Sequence, residues 1–175
     1  MALPESWDTL QLQRHDDGVL QVTLNRPEVA NALNTQMGHD LLDIWNRLTV
    51  DAGDIRCVVM TGAGEKIFCA GGDLKERNGM SKVQWQRQHE LFERMVWTQV
   101  DMPVPVIAAV NGPAVGIGAT MLLSMDIRLA SDQARFGFIQ RLLENKYYLD
   151  WINENILARG ARALGTGLWK GGDQM

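Results

Sequence analysis

The stretch AAVNGPAVGIGATMLLS, which runs from Ala108 to Ser124, contains no side chain that takes or gives a proton near neutral pH. It lies within a longer uncharged run, from Pro103 to Met125. The apolar segment PVIAAV predicts a short buried strand, NGPAVG predicts a turn, and the residues from Gly116 to Met125 predict a helix. Any contribution of this unit to function therefore comes from its backbone groups or from its packing.

The uncharged run is long enough to cross a bilayer, so a membrane span is the first alternative to consider. Pro103, Pro105 and Pro113 would each interrupt a spanning helix, and the glycines between Asn111 and Thr120 would weaken it further. The composition therefore favours a buried strand followed by a glycine-rich turn. We predict no membrane partner.

Segments with clear periodicity flank this unit. TLQLQRH and VLQVTLN alternate apolar and polar residues around DDG, which predicts an antiparallel hairpin at the start of the fold. Asn34 is the predicted cap of a helix that ends near Gly53. IRCVVMTG predicts a buried strand, and a polar helix is predicted from Ser81 to about Val100. The inward face of this second helix is predicted to consist of Val83, Leu91, Met95 and Val96.

The segment DIRLAS, after the opening stretch, predicts one more strand. Strands therefore alternate with helices, which indicates an α/β fold. We expect a core over residues 1–140 and a helical tail over residues 141–175, because the tail groups apolar residues on one side of one or two amphipathic helices.

Composition and charge limit the possible partners. The chain has 175 residues, 46% of them hydrophobic, and a formal net charge of -4. Since no lysine or arginine cluster could neutralise a phosphate track, we predict no nucleic-acid partner. Cys57 and Cys69 lie among apolar residues without the spacing of a metal knuckle, so we predict no metal site. The N-terminus lacks the pattern of a signal peptide, and we expect a cytoplasmic protein.

Two glycine-rich turns are the strongest candidates for chemistry. FCAGGDLKE covers Phe68 to Glu76, and NGPAVGIGATM covers Asn111 to Met121. Each turn follows a predicted buried strand, and glycines let a ligand approach backbone N–H groups closely. Neither turn has the glycine spacing of a nucleotide-binding motif. Their N–H groups could instead hold an anion or a developing oxyanion.

Four motifs together resemble the enoyl-CoA hydratase/isomerase, or crotonase, family. They are LNRPEVANALN, MTGAGEKIFCAGGDLKE, VIAAVNGPAVGIGATMLL and DIRLASDQARFGF, in the family's order and spacing from about Leu10 to Phe138. The resemblance implies a crotonase-like spiral of β-β-α turns and an acyl-CoA thioester as substrate, as in fatty acid metabolism. It also implies no cofactor beyond the coenzyme A of the substrate, and a homo-trimer or dimer of trimers.

The resemblance assigns a role to both glycine turns. In the family, two backbone N–H groups hold the thioester carbonyl, and by position these belong to Gly72 and Ile117. Charge that develops on the thioester oxygen is stabilised by such preorganised donors more than the ground state is. The opening stretch can therefore act in catalysis without a titrating side chain.

For the coenzyme A moiety, the resemblance implies contacts from two segments. The predicted contact residues are Arg26, Ala30, Ala32, Lys66, Ala70, Asp73, Leu74 and Lys75. Two of them have alternative roles, since Lys66 could be a solvated surface charge and Asp73 could order its own turn instead of acting on substrate.

The catalytic acids of a family hydratase are absent. Its two glutamates fall by position on Thr120 and Gln140, whose side chains cannot accept a proton at neutral pH. The Pro-Glu-Gly or Pro-Glu-Ala turn that supplies the base in some family isomerases is also absent, which leaves Glu144 as a candidate substitute or a solvated helix residue. An isomerase or lyase is therefore favoured over a hydratase, and the alternative is a catalytically silent acyl-CoA-binding or subunit-interaction protein.

Other reactive or aromatic residues receive structural interpretations. Cys69 is interpreted as a small packing residue and Asp126 as a backbone cap. The histidines are expected to be solvated, and the aromatic residues of the polar helix are expected to pack in the core or at an interface. These residues are His15, His39 and His89, and Trp85, Phe92 and Trp97.

Overall fold

A sheet of five strands, seen in a computed structural model, organises the protein. The structure describes residues 7–137. The predicted tail, 141–175, lies outside the described residues, as do Gln140 and Glu144.

In spatial order, the strands of this sheet are β1 (Leu10–Arg14), β2 (Val19–Leu24), β3 (Cys57–Gly62), β4 (Val106–Val110) and β6 (Ile127–Ala130). The first two strands form the predicted antiparallel hairpin, and every later pair is parallel. The parallel pairs require crossovers, which the helices provide.

Two short strands form a second sheet. Strand β5 (Ala114–Val115) pairs in parallel with β7 (Phe136–Gly137). The sequence predicted only a turn here, because two residues carry no periodicity and their pairing depends on a segment about 20 residues away. This strand–strand–helix succession is the crotonase-like spiral that the sequence predicted.

In the part of the chain that the structure describes, four α-helices follow or connect the strands. They are α1 (Thr35–Val50), α2 (Leu74–Asn78), α3 (Lys82–Val100) and α4 (Ile117–Leu123), and a short 3-10 helix covers Pro27–Val29. Asn34 caps α1 by accepting the Met37 N–H, as predicted. Ser81 and Gln84 form a reciprocal capping box at the start of α3. No helix among residues 7–137 is long and apolar enough to cross a membrane.

The core lies between the sheet and the apolar faces of α1 and α3. Trp45 on α1 and Met95 on α3 are fully buried in it. The prediction for α3 was wrong at Val83, which is 59% exposed, while Gln88 and Gln99 occupy inward positions. Gln99 Nε2 donates to the Met121 carbonyl at 3.1 Å and to Ser124 Oγ at 2.7 Å, whereas Gln99 Oε1 has no hydrogen-bond partner among residues 7–137.

Candidate active site

The two glycine turns lie side by side and run in parallel. Cys69 forms a parallel bridge with Ala114, in which the Val115 N–H donates to the Cys69 carbonyl at 2.9 Å. Beyond the bridge the turns stay close, since a Cβ on Gly71 would lie 3.9 Å from Gly116 Cα. The residues that precede the two predicted oxyanion donors, Gly71 and Gly116, thus approach each other closely, although the two turns are 45 residues apart.

Close backbone contact fixes this arrangement. A Cβ on Gly71 would lie 2.9 Å from the Val115 carbonyl oxygen, so only glycine fits between the turns. Gly71 has a φ of +93°, and Gly116 has φ 55° and ψ -123°, which L side chains rarely adopt. Glycine is therefore required in each turn at the residue before the predicted donor.

Both predicted donors have available N–H groups. The Leu33 N–H donates to the Gly71 carbonyl and the Asp73 N–H donates to the Leu33 carbonyl, so the intervening Gly72 N–H is directed away from Leu33. Ile117 is the first residue of α4 and has no acceptor in the preceding turn of that helix. Neither N–H donates a hydrogen bond to any atom of residues 7–137.

Tight packing holds the start of α4 against the first turn. A Cβ on Gly118 would lie 2.8 Å from Cys69 Cβ and 3.0 Å from the Cys69 carbonyl oxygen. Cys69 is fully buried, and burial raises the pKa of its thiol to about 11. The thiol is therefore protonated at neutral pH, in agreement with its interpretation as a packing residue.

The 26–33 segment supports the first turn from the other side. The Ala70 N–H donates to the Ala30 carbonyl at 3.0 Å, and the Leu33 N–H donates to the Gly71 carbonyl at 2.7 Å. The fully buried Asn31 donates to the carbonyls of Ala63 and Ile67. Ala30 and Asn31 both have positive φ, which the contacts of this segment maintain.

The predicted coenzyme A contacts are distributed over this region. Leu33 pairs with Gly72, which brings the segment of Ala30 and Ala32 beside that of Ala70 and Leu74. Ala32 is buried, whereas Leu74, Lys66 and Lys75 are exposed. Arg26 is not a free surface cation, because its Nη1 lies 3.0 Å from Asp73 Oδ2 and donates to the Ala32 carbonyl at 2.6 Å. Coenzyme A binding by these residues stays a prediction.

Asp73 orders the turn that it occupies. It caps α2 by accepting the N–H groups of Lys75 and Glu76, and it pairs with Arg26. Burial alone would raise the pKa of Asp73, but the Glu76 N–H, the hydrogen bond and charge of Arg26 and the Lys75 N–H outweigh it and hold the pKa below its ordinary value. These contacts support the structural interpretation of Asp73, and a direct catalytic role stays a prediction.

The replacement Asp73→Asn should therefore destabilise the fold in a pH-dependent way. We expect a loss of about 2 kcal/mol at pH 7, because Arg26, whose side chain is only 18% exposed, would lose its charged partner. A depressed pKa contributes stability above the unfolded value of about 3.9, and this contribution is lost as the pH falls through the folded value. The difference in unfolding free energy from the wild type should shrink below about pH 4.

Urea unfolding at several pH values measures this effect. The matched control is Asp54→Asn, since Asp54 pairs with Arg14 at the surface with its side chain 82% exposed. We expect the control to change stability by less than about 0.5 kcal/mol at every pH. A loss for Asp73→Asn that is the same at pH 3 and pH 7 would contradict the assignment.

A cavity of about 490 Å³ opens beside the second predicted donor. It is lined by Ile117 and Thr120 of α4, by Arg77 of α2 and by one face of α3. Thr120 Oγ1 donates to the Gly116 carbonyl at 3.2 Å, so this hydroxyl is neutral and already engaged at the position that the resemblance assigns to the first family glutamate. The residues from α3 are Trp85, His89, Phe92, Glu93, Val96 and Trp97.

The role of the α3 face was missed by the sequence reasoning. Phe92 packs in the core as expected, but Trp85 and Trp97 are 46% and 67% exposed and line the cavity. His89 is exposed as predicted, yet it lines the cavity with Ile117. The sequence contains a signal for this shared face. From Trp85 onward, the cavity residues of α3 recur every three or four positions, which places them on one side of the helix.

Polar contacts around the buried Gln88 connect this wall to the first turn. Arg77 Nε donates to Gln88 Oε1 at 2.9 Å, and Gln88 Nε2 donates to Glu76 Oε2 at 2.8 Å and to Thr35 Oγ1 at 2.9 Å. Because Glu76 and Arg77 follow Asp73 in α2, this network fixes α3 relative to the Gly72 turn. The predicted backbone cap Asp126 is also confirmed, since its Oδ2 accepts the Val106 N–H at 2.8 Å.

Known proteins share both the sequence pattern and the fold. A family model described as enoyl-CoA hydratase/isomerase matches residues 14–145. A solved enoyl-CoA hydratase from Bacillus anthracis is 34% identical, with a TM-score of 0.74 over 78% of this chain and 52% of that chain.

Two relatives are named for different acyl-CoA compounds. The (E)-benzylidenesuccinyl-CoA hydratase of Thauera aromatica is 40% identical over 132 residues, which is 75% of this chain and 50% of that protein. The 1,2-epoxyphenylacetyl-CoA isomerase of Escherichia coli is 36% identical over 163 residues, 90% of this chain and 61% of that protein. The chain spans about half the length of the curated relatives it matches. By its family match, its identities and its fold, the chain belongs to the enoyl-CoA hydratase/isomerase family.

Proposed function

We propose that the protein processes acyl-CoA thioesters by stabilising a thioester enolate between the backbone N–H groups of Gly72 and Ile117. The observation that carries the proposal is the close approach of Gly71 and Gly116, the residues that precede the two proposed donors, while neither donor N–H has a partner among residues 7–137. Each such donor is typically worth about 3 kcal/mol of barrier.

The cavity beside Ile117 is the proposed site of the acyl group. Its walls include the rings of Trp85, Phe92 and Trp97, together with Val96. Apolar and aromatic walls with a few polar groups are typical of small-molecule sites. Two relatives are named for aromatic acyl-CoA compounds, which supports an apolar, ring-containing acyl group over a short polar one.

Isomerisation is the favoured reaction. Hydration requires a base that removes a proton from water as the water attacks the β-carbon. The Thr120 hydroxyl donates a hydrogen bond to the Gly116 carbonyl, and a threonine hydroxyl cannot accept a proton as a carboxylate does. Isomerisation needs only the movement of one proton between carbons of an enolate, which is the species that the two N–H groups would stabilise.

Exchange of α-protons in heavy water tests the proposal directly. We expect the protein to exchange the α-protons of trans-3-hexenoyl-CoA and to convert it to the conjugated 2-enoyl thioester. Hydration of crotonyl-CoA should be at least about a hundredfold slower, which is the low end of a general-base contribution. Nuclear magnetic resonance follows all three reactions.

The same experiment separates the alternative function. A protein that binds these thioesters in calorimetry but neither exchanges α-protons nor isomerises or hydrates them would be a silent acyl-CoA-binding protein. Rapid hydration of crotonyl-CoA by the wild type would contradict the preference for isomerisation.

Assembly into a homo-trimer or a dimer of trimers is also a proposal. Exposed apolar side chains support association, since Trp97 on α3 is 67% exposed and Leu129 on β6 is 62% exposed. Sedimentation velocity at micromolar concentration tests it, and a stable monomer would contradict it. A cytoplasmic location stays a prediction.

A further inference from the structure

The cavity wall on α3 holds a histidine and a glutamate one helical turn apart. His89 Nε2 lies 3.2 Å from Glu93 Oε1, with the two side chains 55% and 60% exposed. The Trp85 indole stacks on the His89 ring, with 5.5 Å between ring centroids and an interplanar angle of 5°. The imidazole is thus flanked by an aromatic face and a carboxylate, in the cavity that also contains Ile117.

Proton transfer next to a thioester needs a group that can both accept and return a proton. Among residues 7–137, the charged or titratable side chains lining this cavity are Arg77, His89 and Glu93. Arginine stays protonated in proteins and cannot serve as the base. Imidazole is the side chain best suited to accept and return a proton near neutral pH, which singles out His89.

We propose that His89 is the general base and acid of the reaction, with Glu93 and Trp85 as positioning residues. This inference rests on the proposed function, because it uses the enolate held at Gly72 and Ile117. It assigns to α3 the proton transfer that Thr120 on α4 cannot perform.

The proposed step balances in protons and charge. His89 takes a proton from the α-carbon of a 3-enoyl thioester, so the C–H bond breaks and its electron pair moves into the conjugated system. Negative charge then lies on the thioester oxygen, and the imidazole becomes imidazolium. Return of the proton to the γ-carbon gives the 2-enoyl thioester and restores the neutral ring.

The surroundings of His89 fit this role. The carboxylate beside Nε2 favours a proton on that nitrogen, which leaves the lone pair on Nδ1. Nδ1 makes no hydrogen bond to residues 7–137, so it is available to the substrate. The Glu93 carboxylate also offsets the positive charge of the imidazolium, while stacking on Trp85 limits rotation of the ring.

The test is α-proton exchange of trans-3-hexenoyl-CoA by His89→Gln, a neutral polar replacement that suits a helix. We expect the exchange rate at saturating thioester to fall about a hundredfold, the lower part of the range for general acid–base catalysis. The dissociation constant of the thioester should change less than about threefold, because the base does not contribute uniform binding. Glu93→Gln should lose about tenfold in the same rate.

Two controls separate a chemical role from a structural one. His39→Gln changes an exposed histidine on α1 that lines a different cavity, and it should leave the rate unchanged. His89→Ala leaves space in the cavity, and added imidazole should restore part of its rate, which a merely structural residue would not show.

The outcomes distinguish this inference from the proposed function. Wild-type protein without α-proton exchange would contradict both. A wild type that exchanges α-protons and a His89→Gln variant within threefold of it would overturn the role of His89 and leave the enolate proposal intact. Loss of exchange in Glu144→Gln but not in His89→Gln would assign the base to Glu144 instead.

Discussion

Ile117→Pro should lower α-proton exchange about 10²- to 10³-fold, the effect of removing one oxyanion donor. Proline lacks the N–H that Ile117 is proposed to offer to the thioester oxygen. Ile117 is the first residue of α4, a position where proline is well tolerated in helices. The preceding Gly116 has a ψ of -123°, outside the α region that a following proline disfavours. The variant should therefore fold while it loses the donor.

Two further variants isolate the N–H. Ile117→Ala keeps the N–H and loses only side-chain contacts. Its exchange rate should therefore fall less than about tenfold, compared with the 10²- to 10³-fold loss expected for Ile117→Pro. Lys82→Pro places proline at the equivalent first position of α3, after Ser81 with an extended ψ of 160°, and should change neither folding nor rate. Equal rates for Ile117→Pro and Ile117→Ala, with circular dichroism showing both folded, would remove Ile117 from the site.

The elements that carry their own periodicity were predictable from the sequence. The hairpin of β1 and β2, the Asn34 cap of α1 and the buried strands β3 and β4 all appear where the alternation or the capping residue placed them. The two glycine turns could also be located, because few residues other than glycine permit such close backbone contact. Their alignment required the family resemblance, since the Cys69–Ala114 bridge joins segments 45 residues apart.

The wall of the cavity was not predictable in the same way. An inward helix face is expected to be apolar, but Gln88 on α3 is 2% exposed because Arg77, Glu76 and Thr35 satisfy its amide. With Gln88 facing inward, α3 is oriented so that Val83 is exposed and His89 lines the cavity with Ile117. Which polar groups find distant partners is decided by the tertiary packing, so the sequence pattern alone gave His89 no role beyond a solvated surface residue.

Gly71→Ala should be the most destabilising replacement in the first turn. A positive φ costs an alanine roughly 1–2 kcal/mol, and Gly71 has a φ of +93°. Its new Cβ would also lie 2.9 Å from the Val115 carbonyl oxygen. Overpacking of this kind typically adds about 1–3 kcal/mol. This atom belongs to the backbone of β5, which is held by the Cys69 carbonyl and cannot rotate away as a side chain could. We expect a total loss of about 2–5 kcal/mol in the free energy of unfolding.

The matched control is Gly64→Ala, because Gly64 has a similar φ of +81° but its nearest atom to a new Cβ is Pro27 Cβ at 3.7 Å. This variant should show the backbone strain alone, about 1–2 kcal/mol in urea unfolding. The difference between the two variants then measures how closely the two turns approach at Gly71, the residue before the proposed donor Gly72. A folded Gly71→Ala protein should also lose α-proton exchange beyond what Gly64→Ala loses, because the turns must separate to admit the methyl group. If both variants lose the same stability and keep the same rate, the turns are not in the contact on which the proposed site depends.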